Sequence, residues 1–222
     1  MSIMTGLSAS ERQAALETTL VPARIVPVLT IERVSDGVPL AKALVAGGIK
    51  VLEVTFRTHA AAEAAKAIIA EVPDAIVGMG TVLNGDDLRR AQALGAKFAV
   101  SPGATPELLD TAAESALPLL PGVATASEVM QAQARGFNLL KFFPAEQAGG
   151  IPMLRALAGP FPTTRFCPTG GVNADNLATW LAEPNVIAAG GSWLCPASDI
   201  KSGNWEIITA RCVDAMKKLR RK

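Results

Sequence analysis

The chain has 222 residues, 50% of them hydrophobic and 18% charged, enough to bury a sizeable core and too apolar for a disordered chain. Its 21 basic and 20 acidic residues leave a net charge of +1, without the basic surplus of a nucleic-acid binder. The longest uncharged stretch, residues 184–198, is broken by Pro184, Gly190, Gly191 and Pro196, so no membrane span is expected. Residues 1–10 lack the basic flank and apolar run of a secretory signal, and the cytoplasm is the expected location.

In chain order, Ser8 and Glu11 have capping-box spacing and open a helix ahead of the first apolar run, residues 25–29. Further apolar runs follow at 51–56, 75–79, 98–100, 117–120, 139–143, 165–167 and 186–189, rich in Val, Ile, Leu and Phe. The gaps between them leave room for one helix and two loops each. Helix starts are marked by Asn84, by Thr105 before Pro106, by Thr125 with Glu128, and by Asn173. Gly47-Gly48, Gly95 and Gly136 mark helix ends. Eight alternating strand–helix units predict an α/β fold with a parallel sheet, closed as a (β/α)8 TIM barrel in a single domain, residues 1–222, with an extra N-terminal helix. An open doubly wound sheet is the competing architecture. It is disfavoured by even strand spacing and by Thr30-Ile31-Glu32-Arg33 standing where a glycine-rich dinucleotide fingerprint would be.

Little of the usual catalytic inventory is present. The cysteines Cys167, Cys195 and Cys212 are odd in number and widely spaced, which disfavours a disulfide framework and a structural zinc site. His59 is the sole histidine and tyrosine is absent, so a multi-histidine metal site is excluded within one chain. Cys167 reads as a small buried residue, His59 as a loop or first-turn residue, and residues 217–222 as a solvated helix end. Trp180, Trp193 and Trp205 read as gap fillers between helices and sheet, or as an oligomer contact.

Strands buried on both faces read as unbroken apolar runs, so charges inside them call for an explanation. Lys141 stands in Leu139-Leu140-Lys141-Phe142-Phe143 and shares a face with Leu139 and Phe143. Burial there disfavours the ammonium and favours the free amine, the nucleophile that forms a Schiff base with a carbonyl substrate. The competing reading is a lysine whose head reaches solvent at a strand end. Glu53 stands in Val51-Leu52-Glu53-Val54-Thr55-Phe56-Arg57 and shares a face with Thr55 and Arg57. It suits a proton shuttle, with Arg57 at the rim; a structural ion pair, with Lys141 itself as the cation, is the alternative. Glycine-rich corners are expected at Gly78-Met79-Gly80-Thr81, Thr169-Gly170-Gly171 and Gly190-Gly191-Ser192. The last two, after strands seven and eight, suit phosphate binding through backbone N–H groups.

The segments Val51 to Thr58, Gly78 to Leu83, Ser101-Pro102-Gly103, Leu140-Lys141-Phe142-Phe143-Pro144-Ala145-Glu146 and Phe166 to Val172 occur in the order of one known family. The chain resembles the KDPG/KHG aldolases, from about Ile25 to the Trp205 region. The resemblance implies a class I aldolase, needing no metal or other cofactor, that cleaves 2-dehydro-3-deoxy-6-phosphogluconate to pyruvate and D-glyceraldehyde 3-phosphate in the Entner–Doudoroff pathway. It also implies action on 4-hydroxy-2-oxoglutarate, giving pyruvate and glyoxylate, and a homotrimer. Carried over by motif, Lys141 is the Schiff-base lysine and Glu53 the general acid/base. Arg57 and Thr81 hold the pyruvate carboxylate, and Pro102 and Phe143 line the pocket. Thr169, Gly170, Gly171 and Ser192, with the Gly190-Gly191 corner, form the phosphate end. The competing functions are a phospho-sugar lyase or isomerase without a covalent intermediate, and a non-catalytic binder of phosphorylated metabolites.

Overall fold

A computed structural model of the chain describes residues 7–220; the expected reading of residues 1–6 and 221–222 lies outside it. The elements in order are α1 (Ala9–Ala23), β1 (Ile25–Leu29), α2 (Val34–Ala46), β2 (Val51–Thr55), α3 (Ala61–Glu71), β3 (Ile76–Gly80), α4 (Gly85–Ala93) and β4 (Phe98–Val100). They continue with α5 (Pro106–Ala113), β5 (Leu119–Leu120), β6 (Gly122–Val123), α6 (Ala126–Gln133), β7 (Leu139–Phe142), α7 (Gly150–Ala158), β8 (Arg165–Pro168), α8 (Leu177–Trp180), β9 (Ala189–Gly191), α9 (Ala197–Ser202) and α10 (Trp205–Arg220). Four helices start where the sequence marks them: Ser8 and Thr125 form complete capping boxes, and the side chains of Asn84 and Thr105 each accept an N–H from the first turn. Asn173, marked as a fifth start, instead accepts the N–H groups of Asp175 and Asn176 in the turn before α8, whose cap is Asn176.

The strands do not form the closed eight-stranded barrel that the sequence predicts. They form a six-stranded parallel half-barrel sheet, ordered β5-β4-β3-β2-β1-β9, and a separate three-stranded sheet, β6-β7-β8. Two local features divide them. Pro121 has no N–H to donate and splits one short strand into β5 and β6, which pair with different neighbours. Between β8 and β9 the ladder is reduced to isolated bridges, Phe166 with Val186 and Thr169 with Gly190. The last strand is also displaced, to Ala189–Gly191 from the expected 186–189, so glycines read as a corner are strand residues.

Both sheets contribute to one inner cluster. Val26, Val51, Phe98, Val100, Leu120, Leu139 and Cys167 meet there, with Leu16 and Leu20 of α1 packed on the same cluster. Burying those two leucines contributes roughly 1.5–3 kcal/mol each, which holds α1 over the first residues of β1, β2 and β7. A larger outer cluster packs Leu29, Leu52, Val54, Leu140, Phe142 and Phe166 against the helices. Phe142 and Phe166 meet edge to face, with ring centroids 6.3 Å apart. The alternation fixes direction: Val51 and Leu139 point inward, so Glu53 and Lys141, two residues on, point inward as well.

Candidate functional site

Glu53 comes from β2 of the larger sheet and Lys141 from β7 of the smaller one. The two-residue period carries both side chains into the interior, where they are 3–4% exposed. Lys141 Nζ donates to Glu53 Oε1 at 3.3 Å. The sequence left a solvent-reaching lysine open; burial removes that alternative. An ion pair this dry loses hydration on both partners, so its gain in stability over an apolar pair is small. What the arrangement supplies is a proton donor and acceptor in contact.

Glycine makes the space for this pair. A Cβ on Gly80 would lie 2.7 Å from Glu53 Cγ and 2.8 Å from Cδ, inside any contact that side chains tolerate. Gly80 thus ends β3 as a strand residue rather than a corner, and leaves room for a carboxylate. Gly80→Ala is expected to destabilise the fold by about 1–3 kcal/mol and to displace Glu53, read by thermal melting and activity together. An unchanged melt with full activity would contradict the packing argument.

Around the pair the neighbours are specific. The Lys141 ammonium lies 5.1 Å from the Phe143 ring centroid. Lys141 is in register with Gly122 on one side and Cys167 on the other. Burial pushes the Cys167 thiol up to about 12, so it is a neutral wall at ordinary pH. Pro102 packs its backbone against Gly122, where a Cβ would also lie only 2.7 Å from Gly103 N. The buried Ser101 hydroxyl accepts the Gly122 N–H at 3.2 Å, joining the two sheets beside Lys141.

Arg57 lies beyond the end of β2, exposed at the rim. Its Nε donates to Thr81 Oγ1 at 3.1 Å. Thr81 has φ of 58°, a left-handed conformation costing a β-branched residue about 1–3 kcal/mol. Strain of this kind fits a residue held for its position. A cavity of about 300 Å³ then brings together Arg57, Phe143, Thr169, Gly170, Gly171, Gly191 and Ser192. Lys141, Glu53, Thr81, Pro102 and Gly190 are not on its wall; Lys141 adjoins it through Phe143. Gly190 faces Thr169, and a Cβ there would lie 3.2 Å from Thr169 Cγ2. His59 is exposed and lies off the cavity wall.

The family described as KDPG and KHG aldolase matches residues 16–211. The chain belongs to that family. It is 51% identical to the 2-dehydro-3-deoxy-phosphogluconate aldolase of Pseudoalteromonas atlantica over 185 residues, 83% of this chain and 86% of that protein. Among solved structures, the KDPG aldolase of Legionella pneumophila, with pyruvate captured as a covalent carbinolamine, superposes with a TM-score of 0.88 at 47% identity, covering 90% of this chain and 97% of that one. The 2-keto-3-deoxy-6-phosphogluconate aldolase of Zymomonas mobilis ZM4, solved with 3-phosphoglycerate, gives 0.85 at 44% identity, covering 94% and 96%.

For this family member the cavity wall also includes residues the sequence did not single out: Val28, Thr30, Val172, Cys195, Pro196, Ala197 and Ile200. Val28 was within reach, since it shares the inward parity of Val26 on β1. The segment 195–200 was not, because nothing periodic in it signals that it reaches the cavity wall. Among the described residues, no helix is long and apolar enough to cross a membrane.

Proposed function

We propose that this chain is a class I aldolase that cleaves 2-dehydro-3-deoxy-6-phosphogluconate to pyruvate and D-glyceraldehyde 3-phosphate through a Schiff base on Lys141. The observation that carries this reading is the buried Lys141–Glu53 contact at 3.3 Å, beside a cavity of about 300 Å³. Glu53 takes a proton from the ammonium, and the free amine attacks the C2 ketone to form a carbinolamine. Glu53 returns the proton to the C2 hydroxyl, water leaves, and the protonated imine remains. Glu53, a carboxylate again once water has left, takes the C4 hydroxyl proton, and the C3–C4 electron pair flows into the imine, releasing the aldehyde and leaving an enamine. Protonation at C3 and hydrolysis then free pyruvate and regenerate Lys141.

In this reading Arg57 and Thr81 hold the carboxylate, with Pro102 and Phe143 against the three-carbon unit. Thr169, Gly170, Gly171, Gly190, Gly191 and Ser192 form the phosphate end, and binding there orients the reacting carbons. The Zymomonas relative holding 3-phosphoglycerate supports a phosphorylated substrate, and the family description supports 4-hydroxy-2-oxoglutarate as a second one. We extend the proposal to a cytoplasmic homotrimer serving the Entner–Doudoroff pathway.

The reading is tested by following pyruvate and glyceraldehyde 3-phosphate with separate coupling enzymes. They are expected in a one-to-one ratio. Carbon dioxide or an isomerised product, with no pyruvate, would favour the non-covalent lyase or isomerase instead. Arg57→Ala is expected to raise the pyruvate KM of the condensation reaction about tenfold or more, since a charge-assisted hydrogen bond contributes about 1.5–3 kcal/mol. An unchanged KM would remove Arg57 from the carboxylate site.

A further inference from the structure

We infer that Glu146, which lines no part of the cavity, is a positioning residue for the phosphate end of the site; the inference rests on the aldolase reading above. Its carboxylate Oε1 accepts from Asn176 Nδ2 at 3.1 Å and from the indole N–H of the buried Trp180 at 3.2 Å. Asn176 Nδ2 also donates to the carbonyl of Gly171 at 3.0 Å. The backbone N–H of Glu146 donates to the carbonyl of Gly170 at 3.1 Å, and that of Ala145 to the carbonyl of Thr169 at 2.8 Å. All three carbonyls of the Thr169-Gly170-Gly171 loop are therefore held from one side, by Ala145, Glu146 and the amide that Glu146 orients.

A trans peptide is planar, so its N–H points opposite to its C=O. Fixing the carbonyls of Gly170 and Gly171 turns the N–H groups of Gly171 and Val172 the other way. Gly170, Gly171 and Val172 are cavity-wall residues. Successive N–H groups converging on one space make an anion-binding concavity. The loop can take this shape because Gly170 and Gly171 have φ of 99° and 80°. Glu146 also packs against Gly171, where a Cβ would lie 2.6 Å from the Glu146 Cβ, leaving no room for a side chain. Glu146 follows Lys141 by five residues on the same connection, so one segment carries the amine and sets the distal anchor.

The test compares Glu146→Ala, Glu146→Gln and Asn176→Ala on two substrates, one with and one without the phosphate. For 2-dehydro-3-deoxy-6-phosphogluconate, Glu146→Ala and Asn176→Ala are expected to raise KM about 10- to 100-fold, the scale of a misplaced binding group. For 4-hydroxy-2-oxoglutarate, kcat and KM are expected to stay within about twofold, because that substrate lacks the phosphate and its second carboxylate, at C5, ends short of where a C6 phosphate would lie. Glu146→Gln, which keeps one acceptor oxygen, is expected to recover part of the loss. If Glu146→Ala fails to fold, Asn176→Ala and Glu146→Gln carry the same comparison. Equal losses on both substrates, or no loss on either, would overturn the inference. A wild-type protein that releases no pyruvate from either substrate would instead overturn the aldolase reading on which it rests.

Discussion

Lys141→Ala is expected to lower cleavage of 2-dehydro-3-deoxy-6-phosphogluconate by roughly 10⁴-fold or more, the scale seen when a covalent nucleophile is removed. Among the described residues, no other lysine is buried to replace it. The substitution also leaves a carboxyl group enclosed without its partner and opens a space, both of which destabilise. Lys141→Met separates the two effects. It fills a similar volume, which removes the cavity, but it still leaves Glu53 enclosed without its partner, so its melting temperature is expected to lie between those of the alanine variant and wild type, with activity as low as that of the alanine variant. Steady-state kinetics and thermal melts on both variants read this directly. Activity within tenfold of wild type in the folded Met variant would mean that Lys141 is a structural partner only.

Glu53→Gln is the second large effect. Glutamine keeps the shape and can still accept a hydrogen bond from Lys141 at the 3.3 Å site, but it cannot carry a proton between steps. Turnover is expected to fall about 10²- to 10⁴-fold, the usual contribution of general acid–base catalysis. The Schiff base itself is expected to form still, only more slowly, because its nucleophile is untouched. Single-turnover measurements separate the slowed proton transfers from binding. Near-normal turnover in Glu53→Gln would make the buried carboxylate a counter-ion and leave the shuttle to another group or to water.

The chemistry was legible because it breaks a local rule. Glu53 and Lys141 are charges in runs that otherwise read as dry strands, and a two-residue period is enough to turn both inward. Their pairing stood in the sequence as an alternative and the structure bears it out, but its geometry was not readable, since it joins strands from different sheets, 88 residues apart in sequence. The same short-range logic failed on the sheet as a whole. Gly122 and Val123 are too short a run to register as a strand, and Pro121 gives no hint of which neighbour each side will pair with. Nothing in the residue types signals the gap in the ladder between β8 and β9. Gly80, Gly190 and Gly191 misled in one direction: each reads as a corner glycine, and each is a strand residue, Gly80 and Gly190 set against the side chains of Glu53 and Thr169. The conformation of Thr81 was invisible too, because a positive φ on threonine is imposed by surroundings rather than by propensity.

The most direct test incubates the protein with pyruvate and borohydride, measures its mass, and maps the modified peptide. One reduced pyruvate adduct per chain is expected, on the peptide containing Lys141 and absent from Lys141→Met. No adduct, or an adduct on another lysine with Lys141 unmodified, would contradict the claim that this buried amine forms the covalent intermediate.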